Sequence, residues 1–146
     1  MKNDECAKAR APCTLAPGKD APRVRQCPVM QERDIQDRAY KFALRVVRLC
    51  GTLQRSSVGR VLVSQLLRAG TSIGANLEEA QAAQSKKDFI AKVSIARKEA
   101  FETRYWLRLV ADAGWVSRGR MAGIIAECDE IAKVLSAIVL SARKRA

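Results

Sequence analysis

The side chains suited to covalent or acid–base chemistry are five cysteines and fifteen carboxylates, and no histidine accompanies them in the 146 residues. That absence excludes Ser-His and Cys-His nucleophile pairs, zinc sites with a histidine ligand and the Glu-x-x-His di-iron bundle. It also removes the commonest general base. No two cysteines have Cys-x-x-Cys spacing, so neither a metal site nor a disulfide framework is expected. Cys50 and Cys128 fall within helical patterns, where a free thiol is most often a small core residue, in keeping with a reduced, cytoplasmic setting. Glu78, Glu79, Glu99 and Glu102 come nearest to a carboxylate site. With arginines close by and no histidine, ion pairing accounts for them better than acid–base catalysis or metal ligation. No catalytic residue, metal or cofactor is expected, and the chain reads as a non-enzyme.

The 27 Lys and Arg residues leave a formal charge of +12, which points to an acidic partner such as nucleic acid or anionic lipid. Arg38, Lys41, Arg45, Arg48 and Arg55 recur at steps of 3, 4, 3 and 7 on one helical face, and no acidic residue interrupts them after Asp37. Solvated faces usually mix signs for i,i+4 pairing, so an unbroken basic line suits an anionic partner. Arg97, Arg104 and Arg108 share a second face with Phe101, and guanidinium beside aromatic groups suits RNA phosphates and exposed bases. Pairing of Arg97 and Arg104 with Glu99, Glu102 or Glu78–Glu79 is the competing expectation. The alternative to RNA is an oligomeric scaffold whose positive surface meets an acidic protein partner.

The elements that position these residues follow from proline and apolar spacing. All four prolines lie in the first 28 residues, so residues 1–30, with Cys6, Cys13 and Cys27, read as an unstructured leader. It resembles neither a secretory signal nor a transit peptide, and the abrupt change of texture makes Met30 a candidate start, with residues 1–29 outside the working protein. Over 31–146 four apolar stripes follow. Ile35, Ala39, Phe42, Val46, Leu49 and Leu53 form the first, with Asp34 as N-cap. Leu62, Leu66, Ala69, Ile73, Asn76 and Ala80 form the second, after Ser57. Phe89, Val93, Ala96, Ala100, Thr103, Leu107 and Val110 form the third, capped by Ser85 with Asp88 and stopped at Gly114. Met121, Ile124, Cys128, Ile131, Leu135, Ile138 and Ala142 form the fourth, capped by Ser117.

These stripes predict an all-α fold: an antiparallel up-down four-helix bundle with left-handed packing. No apolar run approaches the roughly 18–20 residues of a membrane span. Helix three carries surplus apolar residues, Ile95, Trp106 and Leu109 on one flank and Ile90, Phe101 and Tyr105 on the other, which favours self-association. Gly70 and Gly74 inside helix two each cost about 1 kcal/mol relative to Ala, so a neighbouring helix is expected to approach closely there. Asn76, on a core heptad position, is expected to fix register.

The segments Gln65-Leu-Leu-Arg-Ala-Gly-Thr-Ser-Ile-Gly-Ala-Asn76-Leu-Glu78-Glu79, Ser85-Lys-Lys-Asp88-Phe89 and Ile95-Ala-Arg-Lys-Glu99-Ala-Phe-Glu102-Thr-Arg-Tyr-Trp106-Leu107 resemble the four-helix bundle proteins encoded in bacterial 23S rRNA intervening sequences. The likeness covers about residues 32–142. Asn76 and Glu79 match that family's Asn-x-x-Glu-Gly pattern and Ala80 stands where it has glycine, which implies a helix that runs on. The resemblance implies a small cytosolic bacterial protein forming a ring-like homopentamer. A related branch, the accessory variability determinants of diversity-generating retroelements, is a basic pentamer that engages a reverse transcriptase and its RNA template. A gene's position inside an rRNA gene does not by itself make its product an rRNA binder.

Overall fold

The computed structural model describes residues 28–53 and 57–144. Most of the proposed leader, with Cys6, Cys13 and Cys27, lies outside the described residues, as does Arg55. Four helices make up the fold: α1 (Pro28–Leu53), α2 (Ser57–Gln81), α3 (Lys86–Asp112) and α4 (Arg118–Lys144). At 1.5 Å per residue each is about 40 Å long. Helix α1 opens on a proline, which suits the first helical position because no N–H is lost there. It therefore begins three residues before the expected boundary at 31, and Asp34 sits inside it rather than capping it.

The Ser85 hydroxyl caps α3 by accepting the Asp88 N–H at 3.1 Å, and the Asp88 carboxylate accepts the Gln84 N–H at 3.3 Å. The same helix ends where expected. Gly114 takes φ +74°, and its N–H reaches the Ala111 carbonyl at 3.1 Å. Helix α2 runs past Glu79 to Gln81, in keeping with Ala80, a strong helix former, in place of a glycine.

Contacts between helices run in opposite directions. On α1 and α2, Gln36 Nε2 donates to the Leu77 carbonyl at 3.4 Å and Cys50 Sγ to the Val63 carbonyl at 3.8 Å. Between α2 and α3, Glu79 meets Lys92 and Arg68 meets Glu102. Between α3 and α4, Cys128 Sγ donates to the Ala100 carbonyl at 3.3 Å and Arg118 meets Asp112 at 3.0 Å. In each pair, residue numbers rise on one helix as they fall on the other. Helix α1 also closes on α4, along the least extensive of the four seams.

The core is the apolar interior of this bundle, with Phe42, Leu66, Ile73, Leu107, Met121, Ile131 and Leu135 almost wholly removed from water. The third stripe is buried from Val93 to Val110, with Phe89 half-buried at its start. The others slip by one residue in places. Cys50 is buried where Leu49 was expected, and Val139 where Ile138 was. A straight helix of 3.6 residues per turn drifts about 20° per heptad from a strict 3.5 repeat, so a step of four replaces a step of three. On α2 the buried set takes the register of Val63 and Leu77. Asn76 is thereby half-exposed, and its side-chain amide donates to the Ser72 carbonyl of its own helix at 2.8 Å. It is not a core asparagine, because Leu77 supplies the apolar surface the interior takes up.

The glycines of α2 divide. A Cβ on Gly70 would lie 2.8 Å from Val46 Cγ1, so here α1 does approach closely; around Gly74 no neighbouring atom lies within 4 Å.

Candidate nucleic-acid interface

The basic line of α1 lies beside its buried stripe, on the flank turned toward α4. Arg38, half-buried, is taken up by the bundle: its Nε donates to Glu127 on α4 at 2.6 Å. This bond to a carboxylate raises the guanidinium pKa above its ordinary value, so Arg38 is a fixed cation at the seam. Farther along, the Arg45 guanidinium reaches Gly123 of α4, 3.7 Å from where a Cβ would stand. Lys41, Arg45 and Arg48 are exposed, and none makes an ion pair among the described residues.

On α3 the three arginines differ. Arg104 bridges to Asp129 of α4 at 3.1 Å, and its guanidinium carbon lies 5.1 Å from the centre of the Phe101 ring. Arg108 is exposed and Arg97 half-buried, and neither makes an ion pair among the described residues. The acidic partner of Arg104 is therefore on α4, not among the glutamates of its own helix or of α2. Glu102 accepts Trp106 Nε1 at 3.2 Å and lies 3.6 Å from Arg68; Glu79 pairs with Lys92. The Glu99 side chain has no partner among the described residues, while its backbone carbonyl accepts the Thr103 hydroxyl at 2.7 Å.

Of the four candidate carboxylates, Glu79 and Glu102 face cations, while Glu78 is exposed and, like Glu99, makes no ion pair among the described residues; no group of three potential metal-ligating side chains occurs among those residues. Burial pushes the Cys50 thiol up to about 11 and the Cys128 thiol up to about 12. At neutral pH both are protonated and donate to backbone carbonyls, so neither is a nucleophile.

A shallow groove runs between α3 and α4. Arg104, Arg108 and Arg118 stand on its rim with Asp112 and Asp129, over a floor of Ala111, Ala122 and Ile125. Arg118 and Arg120 lie outside every basic line drawn from sequence. The Arg-Gly-Arg opening of α4, where helices normally carry acidic residues, is the signal that would have found them.

Helix α1 exposes an apolar row, Tyr40, Leu44 and Val47, and α3 exposes Ile95, Phe101, Tyr105 and Leu109. Trp106 and Ile90, expected as surplus, instead pack half-buried against the core. No helix of the described residues is long and apolar enough to cross a membrane.

Fold and surface together define a small all-α protein: a four-helix bundle with a buried apolar interior and exposed basic residues on every helix. It belongs to the 23S rRNA-intervening sequence protein family, whose model matches residues 31–137. Among solved structures it is similar to a protein of unknown function from the S23 ribosomal protein family of Bacteroides thetaiotaomicron. The two share 42% identity with a TM-score of 0.71, over 75% of this chain and 98% of that one. No curated protein matches the chain.

Proposed function

We propose that this protein is a non-enzymatic, cytoplasmic homo-oligomer of helical bundles that binds structured RNA through its basic surfaces. The observation that carries the reading is the row Lys41, Arg45 and Arg48: three exposed cations on one face with no acidic partner among the described residues. Such a row is a cost in self-repulsion unless an anion meets it. Arg108 adds a cation on α3, while Arg38 and Arg104 serve mainly to tie their helices to α4. Self-association, pentameric on the family resemblance, is supported by the exposed Tyr40, Leu44 and Val47 row and by Phe101 and Tyr105, apolar surface that water disfavours.

Titration of a fluorescein-labelled 24-nucleotide RNA hairpin at about 50 and 200 mM salt tests the reading. Affinity is expected to fall by orders of magnitude between the two, as counterion release requires. Replacing Lys41, Arg45 and Arg48 by Gln should weaken binding with oligomer size unchanged, whereas Arg38→Gln should change it little. Absence of binding at the lower salt, or binding indifferent to salt, removes the RNA reading. A nuclease-resistant acidic protein partner in pull-downs would favour the scaffold instead. Light scattering at several concentrations tests assembly, and a monomer throughout would end that part.

A further inference from the structure

The charge of the bundle is divided along its axis. One half comprises residues 45–53, 57–68 and 102–125, which the antiparallel contacts place at the same end. It holds eight arginines, no lysine, and only Glu102 and Asp112 as acids, for a formal +6. The other half, residues 34–44, 69–101 and 126–144, holds ten basic side chains, seven of them lysine, against nine acidic ones, for +1. At the arginine end, Arg45, Arg48, Arg60, Arg108 and Arg120 are exposed and make no ion pair among the described residues.

Helix stability does not account for this placement. Arg60 and Arg120 lie in the first turns of α2 and α4, neither of which carries an acidic residue, and α1 and α3, which end at this pole, have no basic residue in their last turns. Cations at helix N-termini oppose the macrodipole, and those at C-termini are favoured. For α2 and α4 the placement is the reverse of what stabilises a helix; with two N-termini and two C-termini at this pole the helix ends offset one another, and the guanidinium groups are what attracts anions. The use of arginine alone narrows the anion to one with paired oxygens, a phosphate or a carboxylate, since a planar fork matches such oxygens two at a time and a lysine ammonium does not. Between α3 and α4, the groove where Asp112 and Asp129 are taken up by Arg118 and Arg104 also presents Ala111, Ala122 and Ile125 beside the unpaired Arg108, an apolar surface for an unstacked base next to its phosphate.

We infer that the arginine-bearing end of the bundle is the surface that grips RNA, holding backbone phosphates with Arg60, Arg108 and Arg120 as well as Arg45 and Arg48 of α1. This rests on the RNA reading and assigns it a location that the α1 row alone does not give. Two triple variants of the full chain carry the test, matched in charge: Arg60→Gln/Arg108→Gln/Arg120→Gln at this end, and Lys86→Gln/Lys87→Gln/Lys98→Gln at the other. Both sets are exposed, and circular dichroism and light scattering confirm that fold and assembly are kept. Against the hairpin RNA, the arginine triple is expected to weaken binding at least about tenfold and to lower the salt slope by about 2–3, roughly one per lost phosphate contact. The lysine triple should change affinity less than about threefold. Equal losses from both triples, with wild-type binding intact, overturn the polar location and leave the RNA reading standing. Failure of the wild-type protein to bind at low salt overturns both.

Discussion

Gly70 and Gly74 are four residues apart on one helix and chemically identical, yet adding a methyl group should move stability in opposite directions. Replacing either by alanine returns about 1 kcal/mol of helix propensity. At Gly74 nothing opposes the gain, because no neighbouring atom lies within 4 Å of the new Cβ. At Gly70 the new Cβ would stand 2.8 Å from Val46 Cγ1, 3.1 Å from Cγ2 and 3.3 Å from Cβ. Val46 cannot turn aside, since a β-branched side chain in a helix has essentially one χ1 rotamer, and it is itself fully buried. Relief then requires α1 and α2 to move apart at the centre of the core, an overpacking cost of about 1–3 kcal/mol. Gly74→Ala should therefore stabilise by about 0.5–1 kcal/mol, and Gly70→Ala should be neutral to about 2 kcal/mol destabilising.

Urea unfolding followed by circular dichroism at one fixed protomer concentration reads the difference, since assembly couples stability to concentration. The mechanism has its own signature. Val46→Ala removes both crowding methyls, so the Val46→Ala/Gly70→Ala double variant should be more stable than the summed single effects by about 1 kcal/mol or more. If Gly70→Ala stabilises as much as Gly74→Ala, or the two changes simply add, the close approach of α1 and α2 at this point is wrong.

Three further outcomes follow from single contacts. Ser85→Ala should cost about 1 kcal/mol by orphaning the Asp88 N–H at the start of α3, measured in the same unfolding assay. Gly114→Ala should cost about 1–2 kcal/mol because φ +74° forces a Cβ against the following carbonyl; Gly114→Asn should cost less. The Cys50 and Cys128 thiols, held up to about 11 and 12, titrate higher folded than unfolded. The protonated forms favour folding fully below the unfolded thiol range near 9, and that contribution declines as pH rises toward 11. Stability should fall across this window and fall less in Cys128→Ala, while alkylation of Cys50 and Cys128 at pH 8, read by peptide mass mapping, should proceed only on unfolding.

The bundle was legible because a helical apolar stripe survives small errors of register: Leu49 and Cys50, or Ile138 and Val139, are neighbours on the same side of the helix. Asn76 was misplaced by that same one-residue slip, and for a polar residue the slip changes the role. The partners of Arg104 and Arg38 were not legible, because Asp129 and Glu127 are distant in sequence and reach them only once α4 has packed. The arginine end was hidden for the same reason. Its charges come from four helices, each contributing two or so, and no window along the chain contains more than a fraction of them.

The α1 row shows what a one-helix reading leaves out. Steps of 3 and 4 look like a single line, but at 100° per residue they trace two columns, Arg38 with Arg45 and Lys41 with Arg48, about 40–60° apart. The column nearer the buried stripe meets the next helix: Arg38 finds Glu127 and Arg45 lies against Gly123. The outer column is exposed and makes no ion pair among the described residues. Arg38 and Arg45 differ in turn because the α4 residue beside one is a glutamate and beside the other a glycine. Arg45 can therefore both pack at the seam and keep its guanidinium for an anion. Which cations of a basic line remain available is decided by the facing helix, residue by residue, and here α4 supplies acids only toward the half of the bundle where lysines and carboxylates already balance.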